Sequence, residues 1–138
     1  MKLRFTVALL LLTVAGLLLV QGCSTGETKG DTFSQLHVTS TFPVDGSTAS
    51  RDTEVVVTFN HRLNESTVKD DNFYLTDSAG NRVPGVLSYN ALNSRITFIS
   101  DNYYEIGERY TVYVKGAIES YENEKLRTDY IFNFDVTY

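Results

Sequence analysis

Residues 130–136 read Tyr-Ile-Phe-Asn-Phe-Asp-Val, a strict two-residue alternation. Phe132, Phe134 and Val136 fall on one side, and Ile131, Asn133 and Asp135 on the other. Successive side chains of a strand point to opposite faces, so this pattern describes a strand with one buried face and one wet face. The same reading extends backward along the chain. In 54–60, "EVVVTFN", Val55, Val57 and Phe59 share a face, while Glu54, Thr58 and Asn60 share the other. In 72–76, "NFYLT", Phe73 and Leu75 point inward. Residues 36–42, 83–89, 95–100 and 110–115 complete the set, and Pro84 marks the 83–89 run as an edge or a bulge. Turn signals separate the runs every eight to twelve residues or so, the pattern of a sandwich or barrel. Asp45-Gly46 and Ala79-Gly80-Asn81 tolerate positive φ. Residues 90–94 suit a hairpin loop, and 64–68 suit one helical turn. The seven strands predict an all-β fold, two sheets packed face to face.

The region before the first strand has another character. Met1-Lys2-Leu3-Arg4 is basic, and residues 5–20, "FTVALLLLTVAGLLLV", carry no charge. A basic start, an apolar run and small residues after it describe a secretory signal. Sixteen uncharged residues are short for a helix crossing about 30 Å of hydrocarbon, which favours a cleaved signal over a retained anchor. The one cysteine of the chain, Cys23, follows directly. Val20-Gln21-Gly22-Cys23 resembles the bacterial lipobox. That resemblance implies a thiol that receives a diacylglycerol, and cleavage just before Cys23 by signal peptidase II. Gln21 departs from the smaller residue usual there. The mature protein would carry two or three acyl chains, enough for stable anchoring. Ser24 rather than Asp follows Cys23, which in similar Gram-negative lipoproteins favours the outer membrane. Residues 1–22 are thus expected to be the signal peptide, and 23–35 a lipidated N-terminus and flexible tether rich in Ser, Thr and Gly.

Charge excludes some partners. Lys2 and Arg4 are the only charges in residues 1–22, so 10 Lys+Arg face 17 Asp+Glu in the mature chain, a formal charge of −7. Nucleic acid requires a basic footprint and is not an expected partner. With one cysteine no internal disulfide forms, yet the remaining length suffices for a core of its own.

Five motifs in order resemble the bacterial Ig-like domain of the type found in the S-layer protein SbsA. They are Phe42-Pro43-Val44-Asp45-Gly46-Ser47, Val57-Thr58-Phe59-Asn60, Asn72-Phe73-Tyr74-Leu75-Thr76-Asp77, Ile106-Gly107-Glu108-Arg109-Tyr110-Thr111-Val112, and Phe132-Asn133-Phe134. The resemblance covers residues 36–138 and implies a seven-stranded Ig-like β-sandwich. It also implies a spacer or interaction module of bacterial surfaces, here standing alone. Gly107-x-x-Tyr110 is similar to a tyrosine corner, whose phenol bonds backbone a few residues upstream. In the 115–124 loop the family often has Asp and Gly-Asn, where this chain has Tyr121-Glu122-Asn123-Glu124.

Chemistry is sparse. His37 and His61 are scattered and do not make a zinc set. Asp70, Asp71, Asp77 and Asn81 flank the third strand without an EF-hand pattern. No nucleophile elbow, HExxH motif or P-loop is present, so neither catalysis nor a cofactor is expected. The phenylalanines are expected inward. Tyr74, Tyr103, Tyr104, Tyr113 and Tyr121 are expected on outward positions or loops, with Tyr103, Tyr104 and Tyr113 as candidate ligand contacts. Asp77-Ser78-Ala79 resembles a short bacterial O-glycosylation signal. Two functions follow. One is a lipid-anchored envelope lipoprotein whose Ig-like domain is a non-catalytic protein-interaction or structural module. The other is a carbohydrate-binding surface lipoprotein using exposed tyrosines. Partners are then the membrane, through the lipid anchor, and an envelope protein or glycan.

Overall fold

The structure, a computed structural model, describes residues 35–138. The expected signal peptide, Cys23 and nearly all of the tether lie outside the described residues. Eight strands form two four-stranded sheets: β1 (Val38–Phe42), β2 (Ser47–Ser50), β3 (Val55–Phe59), β4 (Phe73–Thr76), β5 (Gly85–Asn90), β6 (Arg95–Ser100), β7 (Arg109–Val114) and β8 (Tyr130–Thr137). One sheet has the order β1-β3-β6-β5, the other β2-β8-β7-β4. All pairs are antiparallel except β2 with β8, which is parallel in the register Ser47↔Phe134 to Ser50↔Thr137. Among the described residues no helix is long and apolar enough to cross a membrane.

The alternating residues meet between the sheets as the period-two pattern requires. Val55, Val57 and Phe59 from one sheet face Phe73, Leu75, Phe132 and Phe134 from the other, all nearly or fully buried. Each buried aromatic or aliphatic side chain stabilises the fold by about 1.5–3 kcal/mol relative to exposure. The 3₁₀ turn Glu65–Thr67 forms where the sequence suggested, capped by Asn64, whose side chain accepts from the Ser66 N–H. Positive φ falls at Gly46 and Gly80 in the two expected turns. Pro84 precedes β5, an edge strand, because its missing N–H removes it from the ladder.

Three expectations are corrected. The sandwich has eight strands, not seven, because Ser47–Ser50 adds a short parallel edge strand. Gly46 N–H donates to Asn133 O at 2.8 Å and the Asp45 carboxylate accepts from Asn133 N–H at 3.0 Å, which docks this segment on β8. Phe42 is 58% exposed rather than inward, since it shares the outer face of its sheet with Val56, its cross-strand partner. Tyr104 is in the core, with 2% of its surface exposed, rather than on a wet surface.

Candidate functional site

Three connections that cross between the sheets gather at one end of the sandwich: 51–54 before β3, 77–84 between β4 and β5, and 101–108 between β6 and β7. Rigid strands there position loops, the usual arrangement for binding surfaces. Tyr110 fixes the last connection. Its phenol oxygen accepts from the Glu105 N–H at 2.9 Å, the tyrosine corner anticipated from Gly107-x-x-Tyr110. Gly107 supports it with φ +86° and an N–H donated to Val136 O at 2.9 Å. The loops are also tied to one another. Tyr104 N–H donates to Arg51 O at 2.8 Å, and Asp101 N–H to Pro84 O at 3.0 Å.

An open groove of about 480 Å³ lies between the 51–53 turn and the 99–104 segment. Arg51, Asp52, Asp101, Asn102 and Tyr103 line it. The Arg51 guanidinium sits 4.6 Å from the Tyr103 ring centre, a cation–π contact on a ring that is 65% exposed. Asp52 accepts from Ser50 Oγ at 2.6 Å, and that bond holds its carboxyl below the ordinary carboxylate range. A smaller cavity of about 170 Å³ shares Ser100, Asn102, Tyr103 and Tyr104 with the groove and reaches the 82–84 segment.

The three tyrosines expected to form one contact surface do not. Tyr103 is at the groove. Tyr104 packs inward, its ring 4.7 Å from Tyr110 and 5.5 Å from Phe134. Its hydroxyl is buried and has no hydrogen-bond partner among the described residues. Burial pushes the Tyr104 phenol up, with the neighbouring Tyr110 adding to the effect. Tyr113 is half-buried on the outer face of the other sheet, stacked on Tyr74 at 4.8 Å, with Arg82 on Tyr74 at 4.0 Å. It is not among the residues that line the groove. Tyr121 is exposed under Arg62.

The acidic set beside the third predicted strand holds a turn. The Asp77 carboxylate accepts from Ala79 N–H, Asn81 N–H and Asn81 Nδ2 at 2.8–3.0 Å, with Asn81 the main cause of its lowered pKa. Ser78 is exposed at that turn and donates to Glu108. His37 Nδ1 lies 2.9 Å from Gln35 O. Among the described residues no group of three or more His, Cys, Asp or Glu is placed to hold a metal.

Arg51, Asp52, Asp101 and Asn102 were not singled out in sequence. They are separated by about fifty positions and meet because β3 pairs with β6 and Arg51 O accepts from Tyr104 N–H. The sole local hint was their place beside predicted strand ends.

A two-sheet sandwich with a tyrosine corner and a loop cluster at one end defines an Ig-like module. The bacterial Ig-like domain family matches residues 33–136, and the chain belongs to that family, whose domains are in general non-catalytic. No curated protein matches the chain. Among solved structures, the N-terminal part of the bacterial S-layer protein SbsC is similar, with TM-score 0.58 and 17% identity over 75% of this chain. The chain spans 24% of that SbsC structure. CopC from Methylosinus trichosporium OB3b gives TM-score 0.61 and 14% identity, covering 74% of this chain and 93% of CopC. An L,D-transpeptidase from Mycobacterium smegmatis gives 0.53 and 12%, covering 75% of this chain and 41% of the enzyme. At these identities the likeness is one of fold.

Proposed function

We propose that the chain is an exported, lipid-anchored envelope protein whose Ig-like domain is a non-catalytic interaction or structural module. The observation that carries this reading is a polarity of the domain. Gln35 to Val38 enter at the end of the sandwich where β3 finishes, because Val38 pairs with Phe59. The groove lies at the other end, where β3 begins and β6 finishes. A domain attached through the residues before Gln35 therefore has its groove at the end remote from Gln35. The lipobox-like Val20-Gln21-Gly22-Cys23 supplies that attachment, and Ser24 favours the outer membrane. The acidic balance suits neither nucleic acid nor docking on anionic lipid through a basic patch. Fractionation of cells expressing the full chain and Cys23→Ala tests the anchor. The wild-type chain is expected in the membrane fraction and Cys23→Ala in the soluble exported fraction. Equal partitioning of the two would refute anchoring through Cys23.

A further inference from the structure

We infer that the free edge of β5 is a self-association surface. A second copy of this chain pairs with it antiparallel about a two-fold axis at Leu87 and seats its Leu92 in the cavity beside Val83 and Pro84. The inference goes beyond the anchored module and does not depend on the anchor.

An edge strand presents a row of unpaired backbone groups, which folded proteins normally blunt. Among the described residues, three of the four sheet edges are blunted. β1 carries a bulge between Val38 and Ser40, and β2 is four residues long. β4 is covered by the segment that follows it: Val83 N–H donates to Leu75 O at 3.0 Å, and Arg82 bridges to Thr76. β5 has none of these devices. Its six residues, Gly-Val-Leu-Ser-Tyr-Asn, carry no charge, and its register with β6 runs unbroken from Gly85↔Ser100 to Asn90↔Arg95. The bond from Asp101 N–H to Pro84 O at 3.0 Å sets the phase of that ladder. Opposed residues alternate between bonded and non-bonded pairs, so Val86, Ser88 and Asn90 bond to β6, while the N–H and C=O groups of Gly85, Leu87 and Tyr89 point away from it. Among the described residues no strand lies on that side. Leu87 and Tyr89 pack half-buried against the core, and Tyr89 Oη accepts from Leu63 N–H at 2.7 Å, which holds the strand in place as a template.

Three features fit this edge to a copy of itself. First, the outward groups match about a two-fold axis. Gly85 then lies opposite the partner's Tyr89 and Leu87 opposite the partner's Leu87, an isologous strand addition in which each outward N–H meets a C=O. The half-buried Leu87 side chains cover one another on the inner face, and exposed Val86 lies beside the partner's Ser88 on the outer face. Second, the hairpin tip carries an apolar knob. Leu92, in the loop between β5 and β6, is 99% exposed. Pairing centred on Leu87 carries it past the partner's Pro84, level with the partner's Val83. An open cavity of about 360 Å³ lies at that place in each copy, with Phe73, Val83, Pro84 and Phe98 in its wall. Knob and cavity sit at opposite ends of one strand, so the two-fold axis fills both cavities at once. Third, Arg95 and Asp101 stand at opposite ends of the β5–β6 ladder. Antiparallel pairing brings Arg95 of one copy to the same corner as the partner's Asp101. Parallel pairing would set like charges side by side.

The test is sedimentation equilibrium of the purified Cys23→Ala chain, which has neither lipid nor any thiol, at up to about 1 mM. A concentration-dependent dimer is expected. Ser88→Lys sets a charge on the edge beside the partner's Val86, and Leu92→Asp removes the knob. Both positions are exposed, so each variant should keep the wild-type circular dichroism spectrum while its dimer dissociates about tenfold more readily. Register is read by mixing Val86→Cys and Ser88→Cys chains, made in the same background, under mild oxidation. These positions form a non-hydrogen-bonded pair across the axis, with Cα atoms about 4.5 Å apart, within reach of a disulfide. The mixed disulfide dimer should exceed the dimer that either variant forms alone. A monomer at every concentration, association untouched by both Ser88→Lys and Leu92→Asp, or no preference for the mixed disulfide would overturn the proposal. So would an edge that stays bare in the chain alone and takes a strand from another protein. Because the tested chain lacks Cys23, its association is read separately from membrane anchoring.

Discussion

Tyr104→Phe removes a single oxygen from the core and leaves the ring in place. The ring is packed between Tyr110 and Phe134, and Phe fills the same space. Only the hydroxyl changes, and it is buried without a partner among the described residues. A buried polar group left unpaired costs about 1–3 kcal/mol. Removing it should therefore stabilise the free protein, by about 1 kcal/mol at the lower bound. For a domain of this size that corresponds to a rise in Tm of about 4–8 °C. Thermal melts followed by circular dichroism read the shift. Urea unfolding should show a higher midpoint with an unchanged slope, since the surface exposed on unfolding is the same. A Tm lowered by about 4 °C or more would refute the reasoning, because it would mean the hydroxyl is satisfied in the folded protein.

Other substitutions and conditions follow from the same geometry. Tyr110→Phe deletes the equivalent oxygen of the neighbouring ring, with the opposite sign. It removes the acceptor of the Glu105 N–H and should destabilise by about 0.5–1.5 kcal/mol in urea unfolding. Gly85→Ala would bring a Cβ within 2.4 Å of Ile99 O and of the Phe98 ring. Overpacking of this kind costs about 1–3 kcal/mol, so a melt equal to wild type would count against the placement of β5. With pH, the carboxyls of Asp52, Asp77, Asp129 and Asp135 are held low by hydrogen bonds from Ser50, Asn81, Lys115 and Arg109. Folded values below the unfolded ones mean stability that is present above about pH 3.9 and lost as pH falls through the folded values. Lys115 is raised by Asp129, so its contribution is full below about pH 10.4 and lost above it. A broad neutral plateau in Tm with a shallow fall below about pH 4 is expected, shallower still in salt, because these groups are exposed. A steep loss near neutral pH would contradict these assignments.

Most of the sandwich was legible because a buried sheet face imposes a period of two. Phe132, Phe134 and Val136, or Val55, Val57 and Phe59, announce their face without any tertiary information. β2 was not legible for the same reason. Ser47-Thr48-Ala49-Ser50 has no apolar alternation, and its pairing with β8 is parallel and remote in sequence. Tyr103 and Tyr104 show the limit at single residues. They are adjacent in one loop, and composition treats them alike. The bond from Tyr104 N–H to Arg51 O sets the segment so that one ring points out and the next points in. Phe42 fails in the other direction, since its place on the outer face beside Val56 outweighs side-chain type. The tyrosine corner was readable because its parts are local, Gly107 and Tyr110 being three residues apart. The groove was not, because its walls come from segments about fifty residues apart.

The intact mass of the native protein bears most directly on the central claim, an interaction module held by lipid at Cys23. The account predicts a chain beginning at Cys23 with added mass matching a diacylglycerol, with or without a further acyl chain. That added mass should be lost in Cys23→Ala. An unmodified chain, cut elsewhere or not at all, would contradict it.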